Sequence, residues 1–288
     1  MVDSPEALAK ALESVGYLAD DGVATAAFLA LRMQRPLFCE GEPGTGKTSL
    51  AVALSQSLEL PIIRLQCHEG IDAAQALYEW DFPRQLLHLR ALEAGSESLD
   101  VDAAEQSLYT ERFLLARPLL QALTSAPCVL LVDEIDRADD EFEAFLLQLL
   151  DENAVAIPEF GEVRAERPPL VILTSNRTRE VHDALKRRCL YHWLEHPDLA
   201  REVAILRKRL PGIGERLATQ VATAVRRLRE LELLKPPGVA ESLDWAQALQ
   251  ALSRDELDAE TAARTLGAVL KYTEDMERVR AKLDALLT

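Results

Sequence analysis

The chain has 288 residues, 48% apolar and 28% charged, with 48 Asp and Glu against 32 Lys and Arg for a formal net charge of −16. That length predicts two domains, or one large one with an appendage, and the acidic balance argues against a protein that works by coating phosphate backbones, which needs clustered Lys and Arg. No apolar run reaches the ~18 residues of a membrane span; the opening segment is helix-like and lacks the apolar core of a secretion signal; and Cys39, Cys67, Cys128 and Cys189 form no C-x-x-C pair, which together predict a cytoplasmic protein with reduced thiols.

In chain order, short apolar runs alternate with helical stretches. Strands are predicted at 36–39, 61–66, 127–132, 169–174 and 190–194, the first four opened by Pro36, Pro61, Pro127 and Pro169. Such runs separated by helices predict an α/β fold whose parallel sheet is covered on both faces. After His196-Pro197 only helical text remains, broken at 210–214 and 235–238. The predicted organisation is therefore an α/β nucleotide-binding domain over 1–196 and a helical domain over 197–288. Residues of about 67–126 are too many for one crossover and read as an insertion. It comprises a helix around 72–92 that Pro83 breaks or kinks, a polar loop at Gly95-Ser96-Glu97-Ser98, and a further helix ending near Ala122.

The chemistry concentrates at strand ends. Gly41-Glu42-Pro43-Gly44-Thr45-Gly46-Lys47-Thr48 fits G-x-x-x-x-G-K-[ST] and lies between a predicted strand and a helix beginning at Lys47. Its glycines let successive backbone N–H groups converge on phosphate oxygens, and the helix N-terminus adds partial positive charge. Lys47 reaches the β- and γ-phosphates and the Thr48 hydroxyl ligates Mg²⁺, with Ser49 completing the nucleotide contact. The third strand delivers Asp133 and Glu134 at its C-terminal end, where open α/β sheets bind ligands. Asp133 can hold Mg²⁺ through water and Glu134 can polarise the attacking water, the competing reading being an ordinary helix start. Asp136, Asp139, Asp140, Glu141 and Glu143 read as a solvated helix face. Asn176 ends the fourth strand, either orienting the lytic water or capping a helix. Arg187 and Arg188 close a short helix, either compensating its dipole or reaching a neighbouring subunit's nucleotide. Cys189, His192 and His196 have a zinc-like spacing, but the first two point to opposite faces of a strand and no fourth ligand follows.

These segments, in this order, resemble the AAA+ ATPases of the MoxR type over nearly the whole chain. Within that group, 77–86 and 185–191 are similar to the CoxD-like branch, which matures CO dehydrogenase. The resemblance implies an αβα sandwich with a five-stranded parallel sheet in the order 5-1-4-3-2 and a C-terminal all-α lid. It implies ATP and Mg²⁺ as cofactors, a homo-oligomeric ring (a hexamer in most members), and chaperone-like remodelling. The client would be a metalloenzyme undergoing maturation or activation, and the partner a protein with a von Willebrand A domain; the acidic balance weighs against nucleic acid. Lys47 and Thr48 match Walker A, Asp133 and Glu134 Walker B, and Asn176 sensor 1. Arg188, then Arg187, matches the arginine finger. Tyr17 and Leu18 resemble the adenine-pocket segment, core packing being the alternative, and 153–167 resembles the hairpin placed before sensor 1. Tyr78, Trp80 and Phe82 either grip a partner or pack in the core. The family's sensor 2 arginine is missing: Ala240 stands in its place, and Arg229 and Arg254 are too distant along the chain. Two rival functions stay open, a nucleic-acid loader using Arg226, Arg227 and Arg229, and an ATP-gated scaffold with little turnover.

Overall fold

The computed structural model describes residues 2–95 and 101–287. Helix α1 (Pro5–Ser14) begins where the Ser4 hydroxyl accepts the Ala7 N–H at 3.2 Å and Pro5 occupies the first turn, where a missing N–H costs nothing. Next come α2 (Asp21–Met33), β1 (Leu37–Gly41), α3 (Lys47–Ser57) and β2 (Ile62–Gln66). The long connection then holds α4 (Ala73–Leu77), β3 (Tyr78–Trp80), α5 (Phe82–Gly95), α6 (Val101–Leu108), β4 (Leu114–Ala116) and α7 (Pro118–Thr124). It is followed by β5 (Val129–Asp133), α8 (Asp140–Glu152), the antiparallel hairpin of β6 (Ala154–Ile157) and β7 (Gly161–Arg164), β8 (Leu170–Ser175), α9 (Asp183–Arg188) and β9 (Leu190–Leu194). The remainder is helical: α10 (Leu199–Arg209), α11 (Glu215–Arg229), α12 (Val239–Ala251), α13 (Ala259–Val269), α14 (Thr273–Arg280) and α15 (Leu283–Leu287).

Five strands form one sheet in the order β2-β5-β8-β1-β9. Strands β2, β5 and β8 pair in parallel, with Gln66 opposite Asp133 and Val132 opposite Leu173. Every residue of β1 and β5 is buried, which is why both read as continuous apolar runs rather than alternating ones.

The chain divides into two compact units. One comprises Met1–Thr25, Cys39–Ser57 and His192–Thr288, and its core includes Leu206, Val221, Trp245, Leu249 and Leu266. Within it the Trp245 indole N–H donates to Thr265 Oγ1 at 2.8 Å, so the largest core ring keeps its polar atom satisfied. Buried Glu202 accepts both Arg229 Nη1 (2.7 Å) and Nη2 (2.8 Å), and the Ser242 hydroxyl at 2.6 Å, which compensates its charge. The other unit comprises Ala26–Phe38 and Leu58–Tyr191, with a core around Phe38, Leu130, Val132, Phe142, Leu146 and Leu173.

The insertion departs from the sequence reading. The predicted helix around 72–92 is interrupted before Pro83, because Tyr78–Trp80 form β3 and pair antiparallel with β4. Pro83 instead sits in the first turn of α5, whose N–H groups lack intrahelical partners anyway. Trp80 is 9% exposed and packs edge-on against Tyr109 at 5.3 Å and near Tyr78 and Phe160, so its role is burial. Phe82 is the exposed ring of the three, at 65%. The expected loop at 96–98 lies outside the described residues.

Candidate phosphate loop and carboxylate cluster

The phosphate loop joins β1 to α3. Gly44 (φ +79°) and Gly46 (φ +96°) adopt left-handed backbone that side chains disfavour. A Cβ on Gly46 would lie 3.8 Å from the Tyr17 ring, so Tyr17 lies beside the loop. Burial holds the Tyr17 phenol above its usual pKa, and the hydroxyl stays protonated. Leu18 is half-buried, and its carbonyl accepts Arg201 Nε at 3.0 Å. The Lys47 ammonium is buried and donates to the carbonyls of Gly41 (2.8 Å) and Glu42 (2.7 Å), with Thr45 Oγ1 at 3.4 Å. Thr45 Oγ1 in turn donates to Glu42 O at 2.9 Å. Thr48 and Ser49 fall in the first turn of α3, while Glu42 and Pro43 are exposed.

The start of α12 lies directly on this loop. Val239 N–H donates to Gly44 O at 2.9 Å, and Glu241 caps the helix by accepting the Gly238 N–H. Beside it, His196 Nε2 meets Glu42 Oε2 at 3.0 Å, while His196 Nδ1 is buried with no hydrogen-bond partner among the described residues. Burial and then Arg229 hold the His196 pKa below its usual value, against the opposing pull of Glu42. Gly238→Ala would put a Cβ 2.6 Å from Gly44 Cα and 2.9 Å from Pro43 O, both backbone atoms that cannot swing aside. This substitution is expected to cost about 1–3 kcal/mol of stability through overpacking. Denaturant unfolding checks it, and an unchanged midpoint would mean that the contact yields freely.

The carboxylate cluster belongs to the other unit. Asp133 is 2% exposed; its Oδ1 accepts the Thr174 hydroxyl at 2.5 Å and its Oδ2 accepts Arg64 Nη2 at 2.6 Å. Glu134 takes a left-handed backbone (φ 57°, ψ 51°), a conformation costing roughly 1–2 kcal/mol for a non-glycine residue. Its N–H donates to Thr174 Oγ1 at 2.9 Å, so one hydroxyl ties both acidic residues to β8. The Glu134 carboxylate is met by Gln66 Nε2 (3.1 Å) and by Asn176 Nδ2 (3.4 Å), so Asn176 reaches the group expected to polarise water. The thiol of neighbouring Cys67 is pushed up to about 12 by burial, reinforced by Asp133, Asp136 and Glu134, which marks the negative potential here.

The acidic run is not all a solvated face. Asp136 is 3% exposed and accepts the N–H groups of Asn176 (3.2 Å) and Thr178 (2.8 Å) and the Thr178 hydroxyl (2.7 Å). Glu143 is also buried and accepts the His182 N–H at 2.7 Å together with Arg179. These two carboxylates hold the segment after β8 in place. Asp139 caps α8 through the Phe142 N–H at 2.9 Å, whereas Asp140 and Glu141 are exposed.

At the end of α9, Arg188 pairs with Asp151 at 2.9 Å, and Arg187 is exposed. Arg35 clamps the backbone beneath them, donating to the carbonyls of Arg188 (3.1 Å), Arg187 (2.9 Å) and Cys189 (3.4 Å). This positions the arginine pair from the chain segment before β1.

The sequence profile described as "AAA domain (dynein-related subfamily)" matches residues 36–189, more than half of the chain. The chain belongs to this AAA family. Among solved structures, the Thermotoga maritima RuvB Holliday junction branch migration motor is 14% identical, covering 90% of this chain and 68% of its own, with a TM-score of 0.47. Two single-residue variants of that Thermotoga maritima protein are 15% and 16% identical, with TM-scores of 0.49 and 0.47. Each covers 92% of this chain, and they cover 70% and 69% of their own. No curated protein matches the sequence.

The matched AAA region contains the phosphate loop, both residues of the acidic pair, Asn176 and the paired arginines. Arg64, Gln66, Asp136 and Glu143 also fall within it; sequence reasoning gave the first two no role and read the two acids as a solvated face. The available signal was polar residues two apart on β2 and acids immediately following a strand-end carboxylate pair. Among the described residues, no helix is long and apolar enough to cross a membrane.

Proposed function

We propose that this AAA+ ATPase binds Mg·ATP and hydrolyses its β–γ anhydride, and that turnover in a ring of subunits remodels a protein client. The observation that carries the reading is the acidic pair of buried Asp133 and half-buried Glu134, held at a strand end by Thr174, within a family-matched region that also contains a complete phosphate loop. Backbone N–H groups of the loop and Lys47 bind the phosphates, and Tyr17 and Leu18 flank the base. Magnesium takes hard oxygen donors, and the residues proposed to hold it are Thr48 through its hydroxyl and buried Asp133 through its carboxylate. The bound cation would neutralise charge on the β- and γ-oxygens. Glu134 accepts a proton from the attacking water, Asn176 orients that water, and Arg188, with Arg187 as second choice, stabilises charge in a neighbouring subunit's site.

The proposed division places nucleotide chemistry in residues 1–196, with an insertion at about 67–126, and a lid in 197–288. It is supported by the end of strand structure at Leu194. The sheet order β2-β5-β8-β1-β9 supports the 5-1-4-3-2 arrangement of the resemblance. The MoxR-type, CoxD-like motifs support metalloenzyme maturation in the cytoplasm with a von Willebrand A partner and a hexameric ring. The net charge of −16 disfavours nucleic acid. A second reading, a nucleotide-gated scaffold with little turnover, is favoured by the first turn of α12, which carries Ala240 and Glu241 rather than a cation.

Lys47→Ala is expected to weaken ATP binding by about a hundredfold, the equivalent of ~3 kcal/mol of charge-assisted contacts. Equilibrium titration with a fluorescent ATP analogue checks this. Wild-type affinity in the variant would contradict the assignment of the loop.

A further inference from the structure

We infer that Arg64 is a positioning residue for the acidic pair and the cation that a divalent metal must displace from Asp133. The inference rests on the Mg·ATP reading above. Arg64 and Gln66 are two apart on β2 and so share a face of the strand. That face delivers both to the C-terminal end of β5, since Gln66 lies opposite Asp133 in the ladder. One nitrogen, Arg64 Nη2, lies 2.6 Å from Asp133 Oδ2 and 2.6 Å from Gln66 Oε1. The amide of Gln66 then donates to Glu134 Oε2 at 3.1 Å. A single guanidinium thus touches Asp133 directly and Glu134 through one amide.

The two partners differ sharply in burial: the Asp133 side chain is 3% exposed and that of Arg64 55%. A buried carboxylate needs compensating donors or a cation, and Arg64 supplies one. Because its head is half in water, Arg64 is rehydrated readily when it swings away, so the pair opens at small cost. A metal ion and a guanidinium directed at the same carboxylate repel each other and share its lone pairs. Metal occupancy at Asp133 and the Arg64 contact therefore oppose one another, and linkage requires that weakening one strengthens the other.

The test titrates Mn²⁺ into protein saturated with ADP and follows the free-Mn²⁺ electron paramagnetic resonance signal, which reports metal uptake without turnover. Arg64→Gln and Arg64→Ser are both made, so that a folding defect in one leaves the other. Each is expected to lower the Mn²⁺ midpoint about three- to fivefold, the scale of a half-exposed ion pair. Arg64→Lys, which keeps the charge, is expected to stay within about twofold of wild type. Metal-free ADP affinity should not change in any of them. Unchanged or raised midpoints in the Gln and Ser variants, with wild type taking up Mn²⁺ normally, would overturn the role of Arg64 alone. A wild-type protein that takes up no Mn²⁺ with ADP would overturn the nucleotide reading as well.

Discussion

Glu134→Gln is expected to retain ATP binding while losing turnover by about 10²–10⁴-fold, the usual contribution of a positioned general base. The amide keeps the size of the carboxylate but cannot accept a proton from water at neutral pH. The fold should tolerate the change, because the left-handed backbone at 134 is held by its own N–H on Thr174 rather than by the carboxylate. The side chain also faces amide donors from Gln66 and Asn176, and a Gln can still present its oxygen to one of them. Phosphate release, measured beside binding of a fluorescent nucleotide, separates the two effects. Unchanged turnover would remove Glu134 from catalysis, and loss of binding would make it a structural residue. A slow, ATP-loaded variant is also the form in which a client should co-purify.

Arg188→Ala is expected to bind ATP nearly normally and to lose about 10³-fold or more in turnover, the scale on which an arginine delivered in trans acts. Charge developing on the transferred phosphoryl group requires a fixed cation, and in the proposed site Lys47 and a bound metal would cover one side of it. In the single chain Arg188 is engaged by Asp151, an ion pair more than half exposed on the arginine side and therefore readily exchanged for a stronger anion. The Arg35 clamp on the carbonyls at 187–189 fixes the backbone from which it would reach. Mixing Arg188→Ala with Lys47→Ala subunits should restore part of the activity, since the second supplies an intact arginine to the first one's intact loop. Full activity of Arg188→Ala alone, or no recovery in rings shown to be mixed, would contradict the trans role.

Much of this was legible in the sequence because the decisive signals are local. The phosphate loop needs eight consecutive residues, and its glycines are required by local backbone conformation at Gly44 and Gly46. The proline-opened apolar runs located β1, β2, β5 and β8 to within a few residues; β1 and β5 are buried throughout and read as apolar runs, whereas β2 is an edge strand of which only Leu65 is buried. What escaped depends on distant partners. Tyr78–Trp80 is too short to show a period, and it becomes a strand by pairing with Leu114–Ala116. Asp136 and Glu143 look like surface acids until the segments at 176–178 and 182 fold over them and donate their N–H groups to the carboxylates. Arg64 reads as one charge in an apolar run, and its meaning comes from the register that sets β2 beside the end of β5.

ATP hydrolysis with magnesium at one loop and one acidic pair is the activity expected of this chain. Inorganic phosphate release by purified wild-type protein, with Mg²⁺ and with chelator, tests it most directly when Lys47→Ala is run as the blank. Release is expected to require Mg²⁺ and to disappear in Lys47→Ala. Release that persists in Lys47→Ala, or wild-type release no greater than that blank, would contradict it.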